Sequence, residues 1–369
     1  MIDDIKAVEK DINAIISLIR EGRSKEWIAH NHDFSDFEEL FSFAKARIRN
    51  IRERKVPENY FFTENDVRFA TNQLVAEHRA ERLKCGTIID IGCGVGVQAI
   101  AFAKTCKRVI AIDIDERKVM YAKLNAGIAG VDNIIFMTGD ALALADTLTE
   151  ADIVFCDPER PASEEQRKIS SMQPDPKALI KKISRLTDRF CFEFPPQMRG
   201  IPIEGEKEYC SVDHELNRLS VYCGSLKNAD CSAVVLPEGA LLTSSSSKQK
   251  LKRSAVQDYI YEVDGAVLKA ELAERIPIEG IWLWNEMLTS RLPQDSPFFK
   301  ACYRVMRLSS AENLRQDLAT VNAGSVVFHA RIAPEKYWEE RRALERGLSG
   351  RRQVHLFMAD KAAVIAERI

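Results

Sequence analysis

Ile88-Ile89-Asp90-Ile91-Gly92-Cys93-Gly94-Val95-Gly96 decides the reading of this chain. A short apolar run of strand character leads straight into glycines at alternate positions, and a helical pattern begins near Gln98. Glycine lets a backbone turn tightly and lets a ligand approach where any Cβ would clash. A dinucleotide fold would ask for G-x-G-x-x-G, with pyrophosphate on the helix N-terminus. Here position 97 is valine, and Asp90 stands just ahead of the glycines, where an anion would repel phosphate.

Outward from this stretch, β-branched runs alternate with helical segments: Thr87–Ile91, Arg108–Ile112, Ile134–Met137, Ile153–Cys156 and Phe190–Phe194. That alternation predicts βαβ units and a mostly parallel sheet. Glu208–Val212 and Arg218–Cys223 flank a short polar turn and predict an antiparallel hairpin that closes the sheet. Ligands of such sheets bind outside the carboxyl ends of the strands, and carboxylates stand at three successive ends: Asp90, Asp113 and Asp140. Asp90 suits the cationic methionine end of S-adenosylmethionine, Asp113 the two ribose hydroxyls, and Asp140 the adenine amine. With them, Gly92, Cys93, Gly94, Gly96, Ile114 and Ala141 make up the expected cofactor contacts. Each aspartate is also a natural helix cap or turn residue.

The fourth run ends in Phe155-Cys156-Asp157-Pro158-Glu159-Arg160. An amine conjugated to a ring is methylated only when its lone pair is aimed at the methyl carbon. A carboxylate and a backbone carbonyl can aim it by accepting the amine hydrogens. Asp157 and Pro158 are placed for that role, and Arg160 offers a guanidinium plane for a base or a phosphate.

Residues 86–225 resemble the class I S-adenosylmethionine-dependent methyltransferases. The likeness extends upstream to Thr63 and to Ala70-Thr71-Asn72-Gln73-Leu74-Val75-Ala76-Glu77-His78-Arg79-Ala80. It extends downstream to Tyr259–Leu268 and Pro297–Val305, which resemble a C-terminal THUMP-like domain. The subgroup is related to the RNA cap guanine-N2 methyltransferases. The resemblance implies a Rossmann-like seven-stranded α/β sheet and places Thr71 near the cofactor. It also implies RNA, a tRNA or an rRNA, as partner. The family's usual Asp-Pro-Pro-aromatic is Asp157-Pro158-Glu159-Arg160 here, so the base-stacking aromatic is missing. The alternative is a methyltransferase acting on a small molecule.

The remaining sequence sets the frame. Its 369 residues predict two or three units: a helical segment over 1–60, a methyltransferase domain over 61–242, and an α+β domain over 255–369. Ile5, Val8, Ile15, Ile16 and Ile19 supply one helical stripe and Phe37, Leu40, Phe41 and Phe43 a second. The polar stretch 243–252 predicts a linker. A net charge of -2 excludes a strongly basic nucleic-acid binder, so RNA would need local clusters. The candidates are Arg47, Arg49, Arg52 and Arg54, together with Arg341, Arg342, Arg346, Arg351 and Arg352. Nine cysteines without a C-x-x-C pair predict free thiols in the cytoplasm. The histidines form no metal-like spacing, and no run is apolar enough to cross a membrane.

Overall fold

The computed structural model describes residues 5–159, 172–198, 200–284, 287–329, 333–359 and 362–369. Five helices open the chain: α1 (Ile5–Arg20), α2 (Lys25–Asn31), α3 (Phe37–Glu53), α4 (Glu64–Phe69) and α5 (Gln73–Arg82). Their limits are written in capping residues. Ser24 accepts from the N–H of Trp27, Asn72 from that of Leu74, and Thr63 forms a reciprocal capping box with Asp66. The stripe on α1 buries Ile12, Ile15 and Ile16, and α3 buries Leu40 and Phe43.

The sheet then begins. Its first part runs β1 (Thr87–Ile91), α6 (Val97–Thr105), β2 (Arg108–Asp113), α7 (Glu116–Ala129), β3 (Ile134–Thr138), α8 (Ala141–Leu144) and β4 (Ile153–Cys156). It continues through α9 (Pro176–Ile183), β5 (Phe190–Phe194), β6 (Glu206–Val212), β7 (Glu215–Tyr222), β8 (Cys231–Leu236) and β9 (Ala240–Thr243). The strand order is β3-β2-β1-β4-β5-β7-β6-β8-β9. β1 pairs in parallel with β2 and with β4, and β7 pairs antiparallel with β5. The sheet therefore has nine strands instead of the expected seven, because β8 and β9 form a further antiparallel pair, Ser232 opposite Thr243. Strand order reverses between β1 and β4, which makes the carboxyl ends of these two strands the topological switch point. Ile88, Ile89 and Ile91 are buried, as are Val154 and Phe155 on β4.

A second sheet follows, built from β10 (Tyr259–Val263), α10 (Gly265–Lys269), β11 (Ile281–Trp284), β12 (Met287–Ser290) and β13 (Phe299–Ser310). It is completed by α11 (Leu314–Thr320), β14 (Ala323–His329), α12 (Pro334–Glu345), β15 (Arg352–Ala359) and β16 (Ala362–Arg368). Its order is β11-β12-β10-β13-β16-β15-β14, with β14 and β15 parallel. Alternation splits its core between two faces: Leu356 and Ile365 pack with Leu318 and Val326, whereas Phe357 and Val364 pack with Ile260 and Tyr303.

The chain divides into two compact units, 1–208 with 218–228, and 209–217 with 229–369. The opening helices belong to the first unit, where Phe43 and Phe61 share one core cluster with Phe102 and Phe155. Among the described residues, no helix is long and apolar enough to cross a membrane, and no group of three or more His, Cys, Asp or Glu could hold a metal ion.

Candidate functional site

The turn after β1 is held by its neighbour. Gly92 and Cys93 donate their N–H groups to the carbonyl of Ile112 at 2.8 and 3.1 Å, and Gly96 donates to Cys93 at 2.9 Å. All three glycines have positive φ, 78°, 53° and 90°. A Cβ on Gly92 would lie 2.8 Å from the carbonyl oxygen of Asp157, and one on Gly96 would lie 2.9 Å from the Cβ of Ala122. Gly94 differs: a Cβ there meets nothing within 4 Å. Packing demands the outer two glycines, while the middle one borders open space.

Three strand ends meet at this turn. Gly94 donates to Oδ2 of Asp113 at 2.7 Å, and Asp115 donates to its Oδ1 at 2.9 Å. Gly139 donates to the carbonyl of Asp113 at 2.9 Å, which joins the end of β3 to that of β2. Asp157 donates its N–H to Ile91 at 3.1 Å, which joins β4 to β1. The structure thus brings together Asp90, the glycines, Asp113, Asp157 and the buried Pro158. Asp140 follows Gly139, and its Oδ1 accepts from Leu142 and Ala143 at 2.7 and 3.3 Å as the cap of α8. Ala141 is buried, and Ile114 is 74% exposed beside Asp113. Thr71 is buried one residue before the Asn72 cap of α5. Arg160 lies outside the described residues.

The electrostatics of the carboxylates are unusual. Asp90 is fully buried, and neither side-chain oxygen has a hydrogen-bond partner. Burial pushes its pKa up to about 8; Arg79 pulls the other way, and Asp113 and Glu193 add to the rise. Asp113 is also raised by burial, against the pull of its two N–H donors. Asp157 is raised well above the carboxylate range by burial and then by the charge of Glu193, with Arg218 and Arg79 opposing.

Beneath these groups lies a charge network. Arg79, 1% exposed, donates to Gln98 at 2.6 Å, to Glu193 and to Ser220 at 3.3 Å, and its guanidinium stands 4.7 Å from the ring centroid of Phe155. Glu193, 3% exposed, also pairs with Arg218. Burial alone would raise Glu193, but the two guanidiniums outweigh it and hold its pKa low. Asn125 is a second anchor. It accepts from the N–H of Phe61 at 2.7 Å and donates to the carbonyls of Phe61 and Val95 at 3.0 and 2.9 Å, tying the upstream segment to the glycine turn. Arg79 lies in the upstream segment that resembles the family and Val95 in the glycine turn, whereas Glu193, Arg218 and Asn125 belong to no motif read from the sequence.

The arginine clusters expected to grip phosphate are partly spent within the fold. Arg47 is buried and paired with Glu9 at 2.6 Å, and Arg49 pairs with Glu53 at 2.6 Å. Arg341 pairs with Glu345 at 2.8 Å. Arg47 therefore does not serve as a phosphate contact, because breaking its pair would leave a half-buried Glu9 without its cation. Arg52, Arg54, Arg342, Arg346 and Arg351 remain exposed.

Residues 84–217 match the family model of a methyltransferase domain. An uncharacterised RNA methyltransferase of Caldanaerobacter subterraneus is 39% identical over 75 residues, 20% of this chain and 17% of that protein. An uncharacterised S-adenosylmethionine-dependent methyltransferase of Mycobacterium tuberculosis is 25% identical over 284 residues, 72% of this chain and 75% of its own. The chain therefore spans about one sixth of the first relative and three quarters of the second. A crystal structure described as a methyltransferase of Porphyromonas gingivalis W83 superposes with a TM-score of 0.73 over 98% of both chains at 16% identity, a likeness of fold. Taken with the geometry at the ends of β1, β2 and β4, the match over 84–217 makes this part of the chain a methyltransferase domain.

Proposed function

We propose that the chain is an S-adenosylmethionine-dependent methyltransferase that methylates a base amine in RNA, tRNA or rRNA. The observation that carries the reading is Asp90: a buried carboxylate with two partnerless oxygens, beside a glycine turn whose middle residue borders open space. Burial keeps this carboxyl mostly protonated while it has no partner, and a cationic amino acid end would complete it in the ionised form. The donor set fits S-adenosylmethionine. Bound there, the cofactor would supply an electrophilic methyl group on a sulfonium.

In this reading Asp113 keeps its two N–H donors and uses its remaining lone pairs for the ribose hydroxyls. Exposed Ile114 covers the adenine, with Ala141 beside it. Asp140 gives Oδ1 to α8 and Oδ2 to the adenine amine. Cys93 and the glycines offer backbone, and Thr71 closes over the cofactor. Asp157 and the carbonyl of Pro158 accept the hydrogens of the target amine and aim its lone pair, which is positioning rather than covalent catalysis. Arg79 and Arg218 oppose the rise in Asp157's pKa and so favour the ionised form that can accept those hydrogens.

The RNA substrate rests on the Caldanaerobacter relative, named an RNA methyltransferase, and on the resemblance of Tyr259–Leu268 and Pro297–Val305 to a THUMP-like domain. Exposed Arg342, Arg346 and Arg351 are its candidate phosphate contacts. The test is mass spectrometry of nucleosides from RNA of a strain lacking the gene. One amine-methylated nucleoside should disappear, and return with the wild-type gene but not with Asp157→Ala. An unchanged nucleoside profile would exclude RNA as the substrate.

A further inference from the structure

The aromatic that would stack on a target base is absent after Asp157-Pro158, where Glu159 follows and its carboxylate is tied to Lys118 at 2.8 Å. The first unit holds another aromatic in a suitable place. Phe69 ends α4 two residues before Thr71 and is 60% exposed, and no other described phenylalanine is exposed. Single exposed apolar residues are ordinary, so exposure by itself decides nothing. The decisive feature is how the backbone beneath the ring is held.

α4 has only six residues and would fray without support at its carboxyl end. Two cations provide that support. Lys55 Nζ donates to the carbonyls of Val67 and Arg68 at 3.3 and 3.1 Å, and Arg218 Nη2 donates to those of Phe69 and Ala70 at 3.3 and 3.5 Å. Arg218 also pairs through Nε with buried Glu193. After burial, the charges of Glu193 and Arg218 act most strongly on Asp157. One guanidinium therefore holds the backbone at Phe69 and pairs with Glu193, and both of those charges act on Asp157. The ring's own neighbour is cationic: the Arg68 guanidinium lies 5.4 Å from its centroid. An aromatic face flanked by a cation is the pairing that holds an unstacked base and its phosphate.

We infer that Phe69 is the substrate-stacking residue of this enzyme, taking the place of the aromatic missing after Asp157-Pro158, with Arg68 beside it on the nucleotide's phosphate. The inference rests on the proposed RNA substrate. The experiment measures transfer of tritiated methyl from S-adenosylmethionine into bulk RNA from the deletion strain, using the full chain. It compares wild type, Phe69→Ala, Phe69→Leu and Phe69→Tyr, with cofactor affinity measured by calorimetry. Alanine and leucine should raise KM for RNA about tenfold to a hundredfold, the scale of one lost base stack. They should leave kcat and cofactor affinity near wild type, and tyrosine should restore KM. A wild-type KM in Phe69→Leu overturns the inference, as does a loss of cofactor affinity without a change in KM. If the wild type itself labels no RNA, the proposed substrate fails and the inference falls with it.

Discussion

Gly94 and Asp113, on consecutive βα turns, are joined by one hydrogen bond of 2.7 Å from the glycine N–H to Oδ2. The bond makes the glycine turn and the end of β2 a single rim, so a ligand held by Asp113 is also held against the turn. Replacing Asp113 by Ala should weaken S-adenosylmethionine binding by about 1.5–3 kcal/mol, the scale for hydrogen bonds to a charged group. Calorimetry returning wild-type affinity would remove Asp113 from the site.

Asp90 makes a prediction about protons. With its pKa at about 8, it is mostly protonated at pH 7 in the free protein. A cation placed beside it favours the ionised form, so cofactor binding at pH 7 should release a proton. Calorimetry in buffers of different ionisation enthalpy should detect the release, and Asp90→Asn should abolish it. The same shift acts on stability. The folded pKa is raised above the unfolded one, so the native state binds the extra proton and stability falls as pH rises from the usual carboxylate range to about 8. Asp90→Asn should flatten that part of the pH–stability curve of the free protein.

The Arg79–Glu193 pair is buried on both sides. Removing Arg79 leaves Glu193 with Arg218 as its one remaining cation, at a cost of up to about 3–5 kcal/mol. Arg79→Leu should lower stability by that amount, and the double variant Arg79→Leu/Glu193→Leu should recover part of it. Glu193 has its folded pKa lowered. Its contribution is therefore present above the unfolded pKa and lost as pH falls through the folded value. Denaturant titrations of the three proteins at pH 7 check the first claim, and an acid series checks the second. Equal stability of wild type and Arg79→Leu would show the pair to be dispensable.

How much of this was legible beforehand varies by residue. The runs that became β1 to β5 were visible because each is β-branched or aromatic and bounded by polar turns. Asp113 and Asp140 could be proposed because the first ends β2 and the second follows β3. β8 was missed: Cys231–Leu236 follows a polar stretch and carries no helical segment before it, so nothing in the βαβ rhythm announced it. The charge network was missed for a different reason. Arg79 and Glu193 are 114 positions apart, and no local pattern can pair them. One signal was available in Phe190-Cys191-Phe192-Glu193-Phe194, where a carboxylate inside an apolar strand must find a cation. Arg47 shows the opposite error, an arginine read as surface charge that the fold uses against Glu9.

Glu193 raises the pKa of Asp157, and in the proposed mechanism Asp157 must be ionised to accept the amine hydrogens. Methyl transfer should therefore rise with pH through the pKa of Asp157. Glu193→Gln removes the opposing negative charge and should shift that rise to lower pH. The profile is measured at saturating cofactor on protein checked for folding, because the change also leaves Arg79 and Arg218 without their carboxylate and lowers the pKa of Asp90. A pH–rate profile that stays in place would mean that Asp157 does not limit the reaction.

The central claim is that Asp157 aims the substrate amine and takes no part in holding the cofactor. Single-turnover methyl transfer by Asp157→Ala, at saturating S-adenosylmethionine and with cofactor affinity measured on the same preparation, tests it most directly. The predicted result is wild-type cofactor affinity with the transfer rate reduced by about a hundredfold or more, the scale for losing a group that stabilises only the transition state. Transfer at the wild-type rate would contradict the account and leave Asp157-Pro158 as a strand-ending turn.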